Sequence, residues 1–353
     1  MKPELEKLCQ EYIGNRDAVK KAFRRDNSAL YSVCANIFCS CGKPADTDCL
    51  KACLEIIKGS TGPRSKFRSK RVRSILASML SLQEIPEERM ALADEYFHLL
   101  KRHFKGTEYL VLTAFLLSDL TDRNLTEETV SRGKEIYRQM DQRHRVLTDN
   151  TDSVFAMLMA YSGKTAEDLT QETEACYQAL KKKFSGGSAQ TSAQVLSAAD
   201  GVPEEKVQRV IELYDTLRES GIRYGRSDEI APLAALSLAD TPVPVLAEEI
   251  KEVDEFLQSQ KDFKGSKDSE QAQRAMYAVM IVSDQYAGTN QVNITVMTNT
   301  IDMLIAKQQA SRISIFMNLL QFAAELISQA GKKPEAQTEQ QPPDSKDHDA
   351  PNS

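Results

Sequence analysis

Five cysteines within twenty residues are the side chains of this sequence that are best suited to chemistry. Their spacing is C-x4-C-x-C-x7-C-x3-C. Thiolates held this close together can bind zinc tetrahedrally or form a redox pair. The common zinc modules use C-x2-C pairs on tight turns, and no such pair occurs in the sequence. The candidate metal ligands are Cys34, Cys39, Cys41, Cys49 and Cys53.

The same spacing also fits ordinary burial on two helices. Cys34 and Cys41 lie seven residues apart, so on a continuous helix they share a face with Phe38. Cys49 and Cys53 lie four residues apart among leucines and isoleucines. Because cysteine packs as a small hydrophobe, we interpret the cluster as part of a core, with metal binding and redox chemistry as the alternatives.

A basic segment is the second candidate for chemistry. Its cations could contact the phosphates of a nucleic acid or another polyanion. The chain has no tryptophan, and aromatic residues make up only 7% of it, so extended surfaces for stacking bases are not expected. We therefore favour cations that solvate a loop, cap helix ends or pair with acidic helix starts. The candidate polyanion-binding residues are Arg64, Lys66, Arg68, Lys70, Arg71 and Arg73.

Residues that commonly carry catalysis are sparse. The chain has four histidines, and His98 and His103 are five residues apart, which turns them away from each other on a helix. The sequence contains no H-E-x-x-H, G-x-S-x-G, Walker or dinucleotide-binding motif. No catalytic residue and no cofactor is therefore predicted, and an enzyme of unfamiliar type is only the third alternative for the function.

A repeated pattern predicts the elements that position these residues. An aromatic residue recurs at Tyr96, Tyr137, Tyr177, Tyr214 and Phe256, with spacings of 41, 40, 37 and 42 residues. About ten residues before each tyrosine stands an acidic helix start, and a short apolar segment precedes most of these starts. The pattern predicts an all-α fold of stacked antiparallel helix pairs, an α-solenoid-like array of about six to seven repeats of roughly 40 residues.

The pattern also divides the chain. Residues 1–71 are predicted to hold N-terminal helices, a degenerate first repeat and the basic linker. Residues 72–288 form the repeat array, and residues 289–330 form C-terminal capping helices. Residues 331–353 are rich in Pro, Gln, Asp, Lys and Ser, and this composition predicts a disordered tail.

The N-terminal residues resemble those of a known family. The motif LCxxYIxNR at Leu8–Arg16, the pair Ala22-Phe23 and the pair Leu30-Tyr31 are similar to the start of a bacterial family, domain of unknown function 4003. The resemblance extends over roughly residues 4 to 330. It implies a soluble bacterial protein, and it brings no activity and no catalytic residues with it.

The net charge and the apolar pattern of the chain bear on its partners and its location. The net charge of -6 argues against general polyanion binding over the whole surface. The charged N-terminus has no apolar signal segment and no window is long and apolar enough to span a membrane, so we expect a cytoplasmic protein. We expect a protein-interaction or scaffold module without catalytic activity, whose partner is another protein. The alternative is a metal- or nucleic-acid-associated regulator that uses Cys34–Cys53 and residues 64–73.

Overall fold

The computed structural model of the chain describes residues 1–120, 125–160, 164–227 and 229–286. All of these belong to one compact unit, Met1–Arg312. The predicted capping helices of residues 289–330 and the predicted tail of residues 331–353 lie outside the described residues. None of the helices described here combines the length and the apolar character needed to cross a membrane.

The described residues fold into α-helices, which confirms the predicted all-α class. Two 3-10 turns, Lys66–Arg68 and Lys261–Phe263, precede α4 and α14. The helices are α1 (Pro3–Ala22), α2 (Ser28–Ser40), α3 (Thr47–Ser60), α4 (Arg73–Ser81), α5 (Pro86–Leu100), α6 (Glu108–Leu120), α7 (Glu127–Arg143), α8 (Asp152–Met159), α9 (Ala166–Leu180), α10 (Gly186–Ser197), α11 (Pro203–Glu219), α12 (Ile230–Ser237), α13 (Val243–Ser259) and α14 (Asp268–Gln285).

Odd-numbered and even-numbered helices differ in how they are buried. The odd-numbered helices bury one stripe and expose the other side, as α11 does with Val207, Val210, Tyr214 and Leu217. The even-numbered helices are buried nearly all round, and every residue of α12 is buried. We therefore call the odd-numbered helices outer and the even-numbered helices inner. An amphipathic pattern suits an outer position, and an apolar pattern on all sides suits an inner one.

The helix pairs are in a different register from the one that the repeat suggests. Among the inner helices, each outer helix packs most closely against the one that follows it, as in α1 with α2, α5 with α6 and α9 with α10. The sequence unit combined a short apolar segment with the longer helix after it, such as α10 with α11. Those two helices belong to neighbouring pairs, because the turn with Asp200-Gly201 and Pro203 crosses from one pair to the next.

The first and last described helices meet. Helix α1 packs against α13 and α14, and α2 packs against α14. Lys2 Nζ lies 2.6 Å from a carboxylate oxygen of Glu249, and Tyr12 packs on Phe263 with ring centroids 6.3 Å apart. Helix α1 is continuous through Gly14.

A repeated aromatic contact joins successive outer helices. An aromatic ring just beyond one outer helix packs on the tyrosine of the next outer helix, with centroids 4.3 to 6.3 Å apart. Three of the recurring tyrosines are therefore packing residues. The pairs are Phe104 with Tyr137, His144 with Tyr177, Phe184 with Tyr214, and Phe263 with Tyr12.

Candidate functional site

The five candidate cysteines lie on α2, α3 and the turn between them. Cys34, Cys39 and Cys53 are buried, Cys49 is half-buried and Cys41 is exposed, and none forms a disulfide. Burial raises the pKa of Cys53 to about 12, and burial likewise raises the pKa of Cys39. Both thiols are therefore protonated at neutral pH, which makes them poor nucleophiles and poor ligands as they stand.

The contacts of these cysteines are packing contacts between helices. Asn15 Nδ2 of α1 donates to Cys39 Sγ over 3.5 Å, and Cys49 Sγ lies 4.0 Å from the carbonyl oxygen of Ser81 in α4. Within the described ranges, no three His, Cys, Asp or Glu side chains come together as a group that could hold a metal ion. A metal site at these cysteines stays a prediction from spacing.

Most of the basic segment makes contacts within the protein. Arg73 Nη2 binds Asp26 Oδ1 at 2.6 Å, and Arg68 donates to the carbonyl oxygens of Lys58 and Thr61 at the end of α3. Lys66 and Arg71 lie 3.7 and 3.6 Å from Glu108 Oε1. Such cations hold turns and helix ends in place. The two remaining candidates, Arg64 and Lys70, are exposed.

Two histidines pair with carboxylates of other helices. His103 Nε2 lies 2.6 Å from Glu127 Oε1, and His144 Nε2 lies 2.5 Å from Glu174 Oε2. The ring of His144 also packs on Tyr177, with centroids 4.3 Å apart. The two histidines serve different inter-helix contacts, and the structure does not bring them together into one site.

One edge of the protein combines exposed carboxylates with exposed aliphatic side chains. The starts of α11, α13, α1, α3 and α5 follow one another, because each of these outer helices packs on the next. We define the acidic edge as these five helix starts. Its exposed carboxylates are Glu4, Glu6, Asp48, Glu87, Glu88, Glu204, Glu205 and Glu248.

The acidic edge also holds most of the exposed large hydrophobic residues of the described chain. Five such residues are exposed, and four of them lie here: Met1 at 41%, Ile85 at 52%, Val202 at 50% and Val245 at 39%. The fifth, Val146, lies in the turn between α7 and α8. Ile85 and Leu92 line an open groove of about 390 Å³ together with Gln83, Glu84, Glu88 and Arg89.

The sequence pattern identifies the carboxylates of this edge only as helix starts. The signal that it missed is the aliphatic residue directly before the helix-starting proline, in Ile85-Pro86 and Val202-Pro203. A residue at that position has no helical neighbour to pack on, and the structure leaves both side chains half exposed.

The opposite edge, where outer helices end, is basic. Every turn from an outer helix to the next inner helix carries at least one lysine or arginine. Cations there meet the negative ends of the outer helix dipoles. We call these turns the basic edge; exposed examples are Arg24, Arg25, Arg64, Lys70, Lys105, Arg145, Lys182, Arg223 and Lys264.

One comparison with known sequences covers most of the chain. The profile of a family described as Protein of unknown function (DUF4003) matches residues 15–310. No curated protein and no solved structure matches the chain. The matched residues run from within α1 to beyond α14 and make up most of the chain. They include the pairs Ala22-Phe23 and Leu30-Tyr31, whereas most of the motif at Leu8–Arg16 precedes them. The chain therefore belongs to the family of domain of unknown function 4003.

Proposed function

We propose that this protein is a protein-interaction or scaffold module without catalytic activity, and that it binds its partner along the acidic edge. The observation that carries this proposal is the concentration of exposed aliphatic side chains on that edge. Elsewhere in the described chain, large hydrophobic side chains are buried or partly buried, with Val146 as the exception. Apolar side chains grouped on a polar surface are typical of protein interfaces.

The charge of the edge defines the chemistry of the partner. Paired carboxylates such as Glu87-Glu88 and Glu204-Glu205 flank Ile85 and Val202. A partner that buries these aliphatic residues has to bring apolar side chains of its own, and complementary charge requires lysine or arginine around them. Electrostatic steering would also speed association and make it sensitive to salt. The partner is therefore a basic, amphipathic protein segment.

The architecture and the location of the protein are also part of the proposal. The helix pairs are proposed to act as a solenoid-like repeat array, which the repeated aromatic contacts between outer helices support. Such arrays offer long continuous surfaces, so the step from architecture to binding is an analogy between folds. We also propose that the protein is bacterial and cytoplasmic, as its composition and family resemblance suggest.

Substitutions at the two helix starts test this function without harming the helices. Ile85 and Val202 are the N-cap residues of α5 and α11, and serine is a favourable N-cap residue. The double variant I85S/V202S should therefore remain at least as stable as the wild type while losing apolar contact area. The matched control V146S changes an exposed valine on the basic edge.

The measurement is capture of proteins from a lysate by the immobilised full chain, with each variant beside the wild type. Proteins retained by the wild type and V146S, but released by I85S/V202S and by added salt, should be rich in lysine and arginine. If I85S/V202S retains the same proteins as V146S, the acidic edge is not the interface. If the retained proteins are acidic, the assigned chemistry is wrong.

Nucleic-acid association is the second candidate, and the exposed Arg64 and Lys70 on the basic edge support it. The neighbouring turn adds Arg24 and Arg25, which are exposed as well. Retention of nucleic acid that falls steeply with salt, and falls further in R64E/K70E, would favour this candidate. Elemental analysis of the purified protein, with bound zinc or iron near one equivalent, would favour the metal-associated form of the same alternative.

A further inference from the structure

A polar cavity lies where the first and last described helices meet. Its volume is about 260 Å³, and its walls come from α1, α2, the turn Lys261–Phe263 and the start of α14. It belongs to the basic edge, away from the acidic edge that carries the proposed function. The cationic side chains that line it are Arg16, Lys261, Lys264 and Arg274.

Two of these cations are fixed in place by aspartates. Arg16 is 7% exposed, and its Nη1 binds Asp262 Oδ2 at 2.6 Å while its Nε contacts Ser32 Oγ at 3.4 Å. Arg274 is 6% exposed and binds Asp254 with two parallel bonds of 2.9 and 3.0 Å. Arg274 Nη1 also donates to the carbonyl oxygen of Phe263 over 3.4 Å. A guanidinium has five N–H groups, so each arginine keeps at least two N–H groups beyond these bonds.

The other two cations are exposed and have no such fixed partners. Lys261 and Lys264 make no ion pair within the described part of the chain. Ser28 and Ala29, the first residues of α2, also line the cavity and bring the positive end of a helix dipole to it. These are the components of an anion site: fixed arginines, exposed lysines and a helix start.

The balance of charge and the volume define the ligand. Four cations line the cavity against the carboxylates of Asp262 and Glu270, and a third carboxylate, that of Asp254, is paired with Arg274. Glu270 also accepts the backbone N–H of Lys267 at the start of α14, which uses part of its charge. A volume of about 260 Å³ lies below the usual range of roughly 300 to 1,000 Å³ for drug-sized ligands. We propose that this cavity is a binding site for a small phosphate group, either inorganic phosphate or the phosphate of a small ester.

A single substitution should remove phosphate binding without lowering the stability of the fold. Ser28 is exposed at the first turn of α2, where aspartate stabilises a helix but brings a negative charge to the cavity wall. S28D should therefore keep or raise the melting temperature and abolish phosphate binding. The double variant K261A/K264A should weaken phosphate binding by about tenfold. The matched control is K105A/K182A, which removes two exposed lysines from other turns of the basic edge.

The experiment is calorimetric titration of the full chain with inorganic phosphate, and separately with glycerol phosphate, at constant ionic strength set with chloride. Saturable binding of phosphate to the wild type and to K105A/K182A, with loss in S28D, is the expected result. Tighter binding of glycerol phosphate than of inorganic phosphate would identify an ester as the ligand. The proposal is overturned if phosphate gives no saturable heat, or if the control variant weakens binding as much as K261A/K264A does.

Discussion

Asp152 is a buried acidic residue whose charge state affects stability. It begins α8, is 5% exposed, and accepts hydrogen bonds from the side-chain amides of Gln190 and Gln194 in α10. Burial, and next the charge of Asp149, raise the pKa of Asp152 to about 6 from its ordinary 3.8. The carbonyl oxygens of both glutamine side chains are buried without a hydrogen-bond partner in the described chain. A buried polar cluster of this kind is only partly satisfied, so its stability depends on the proton at Asp152.

This shift predicts how stability depends on pH. The folded state holds the proton of Asp152 more tightly than the unfolded state, so its contribution to stability is present at acidic pH and is lost as pH rises through about 6. D152N cannot titrate. The free energy of unfolding of D152N relative to the wild type should therefore rise by about 2 kcal/mol between pH 4.5 and 7.5. Urea denaturation at both pH values measures it, and a constant difference would contradict the assignment.

At the scale of single residues, the sequence predicts which neighbouring side chains are buried together, but it does not predict contacts between residues far apart in the chain. The spacing of Cys49 and Cys53 suggested a common packing face, because neighbours four residues apart share a helix face. The bond between Arg73 and Asp26 joins residues 47 positions apart, and no local pattern shows such a pair. Gln190 and Gln194 were missed, although two glutamines four residues apart in a buried helix are a signal for a buried polar cluster.

At the scale of helices, replacing two mid-helix glycines by alanine should change the stability of the protein in opposite directions. A Cβ at Gly133 in α7 would overlap Met157 Sδ and lie 3.5 Å from Ala156 O, and Met157 is fully buried. Gly14 in α1 has nothing within 4 Å of that position. G133A should destabilise the protein by about 1–3 kcal/mol through overpacking. G14A should stabilise it by about 1 kcal/mol, because alanine is the better helix former.

Thermal or urea denaturation of the two glycine variants checks this prediction, with each serving as the control for the other. A stabilising effect of G133A would mean that α7 and α8 do not approach each other as closely as the structure shows. Helices α7 and α8 approach closely because glycine has no side chain and Gly133 is buried on the face of α7 that meets α8.

The recurring tyrosines also differ from one helix to the next. Tyr96 Oη accepts the backbone N–H of Leu125 over 3.1 Å, and both residues are buried. Tyr214 Oη makes no hydrogen bond within the described residues. Y96F should therefore cost about 1–2 kcal/mol, since it leaves a buried donor unpaired. Y214F should change the free energy of unfolding by less than about 0.5 kcal/mol. Equal costs in urea denaturation would show that the hydroxyl of Tyr96 faces water.

The sequence predicted these helices from their periodicity, and it predicted their packing aromatics from their spacing. The repeat unit of the sequence joins each short apolar segment to the longer helix that follows it across a short turn, such as the one with Asp200-Gly201. In the structure α10 packs mainly against the helix before it, α9, with a hydrogen bond between Thr173 and Ser197. Turn chemistry identifies where one helix ends and another begins, but only the matching of apolar faces decides which helices pair.

At the scale of the whole described array, the contact between its first and last helices could not be predicted, because closure depends on the accumulated rotation of all pairs. The same aromatic contact that joins successive outer helices also joins Phe263 to Tyr12. Arg16 strengthens this seam, because its guanidinium lies 4.8 Å from the centre of the Phe263 ring and binds Asp262. These partners are 246 residues apart. An open array would leave α1 without α13 and α14, and its Leu5, Cys9 and Tyr12 would be partly exposed.

Because the first and last described helices pack on each other, a substitution at one end should also change the local stability of the helices at the other end. Hydrogen bonds from Arg16 and Lys20 lower the pKa of Asp262 to about 2, so its contribution is present above pH 3.8 and is lost as pH falls towards about 2. D262N should speed amide hydrogen exchange about tenfold in α1, α13 and α14 at neutral pH, which corresponds to a local cost of roughly 1.4 kcal/mol, and leave α7 and α9 unchanged. D268N, which loses only the exposed pair with Arg223, is the matched control and should change none of them. Faster exchange in α13 and α14 with α1 unaffected would mean that the ends do not support each other, because a closed seam transmits the loss of Asp262 to both of its sides.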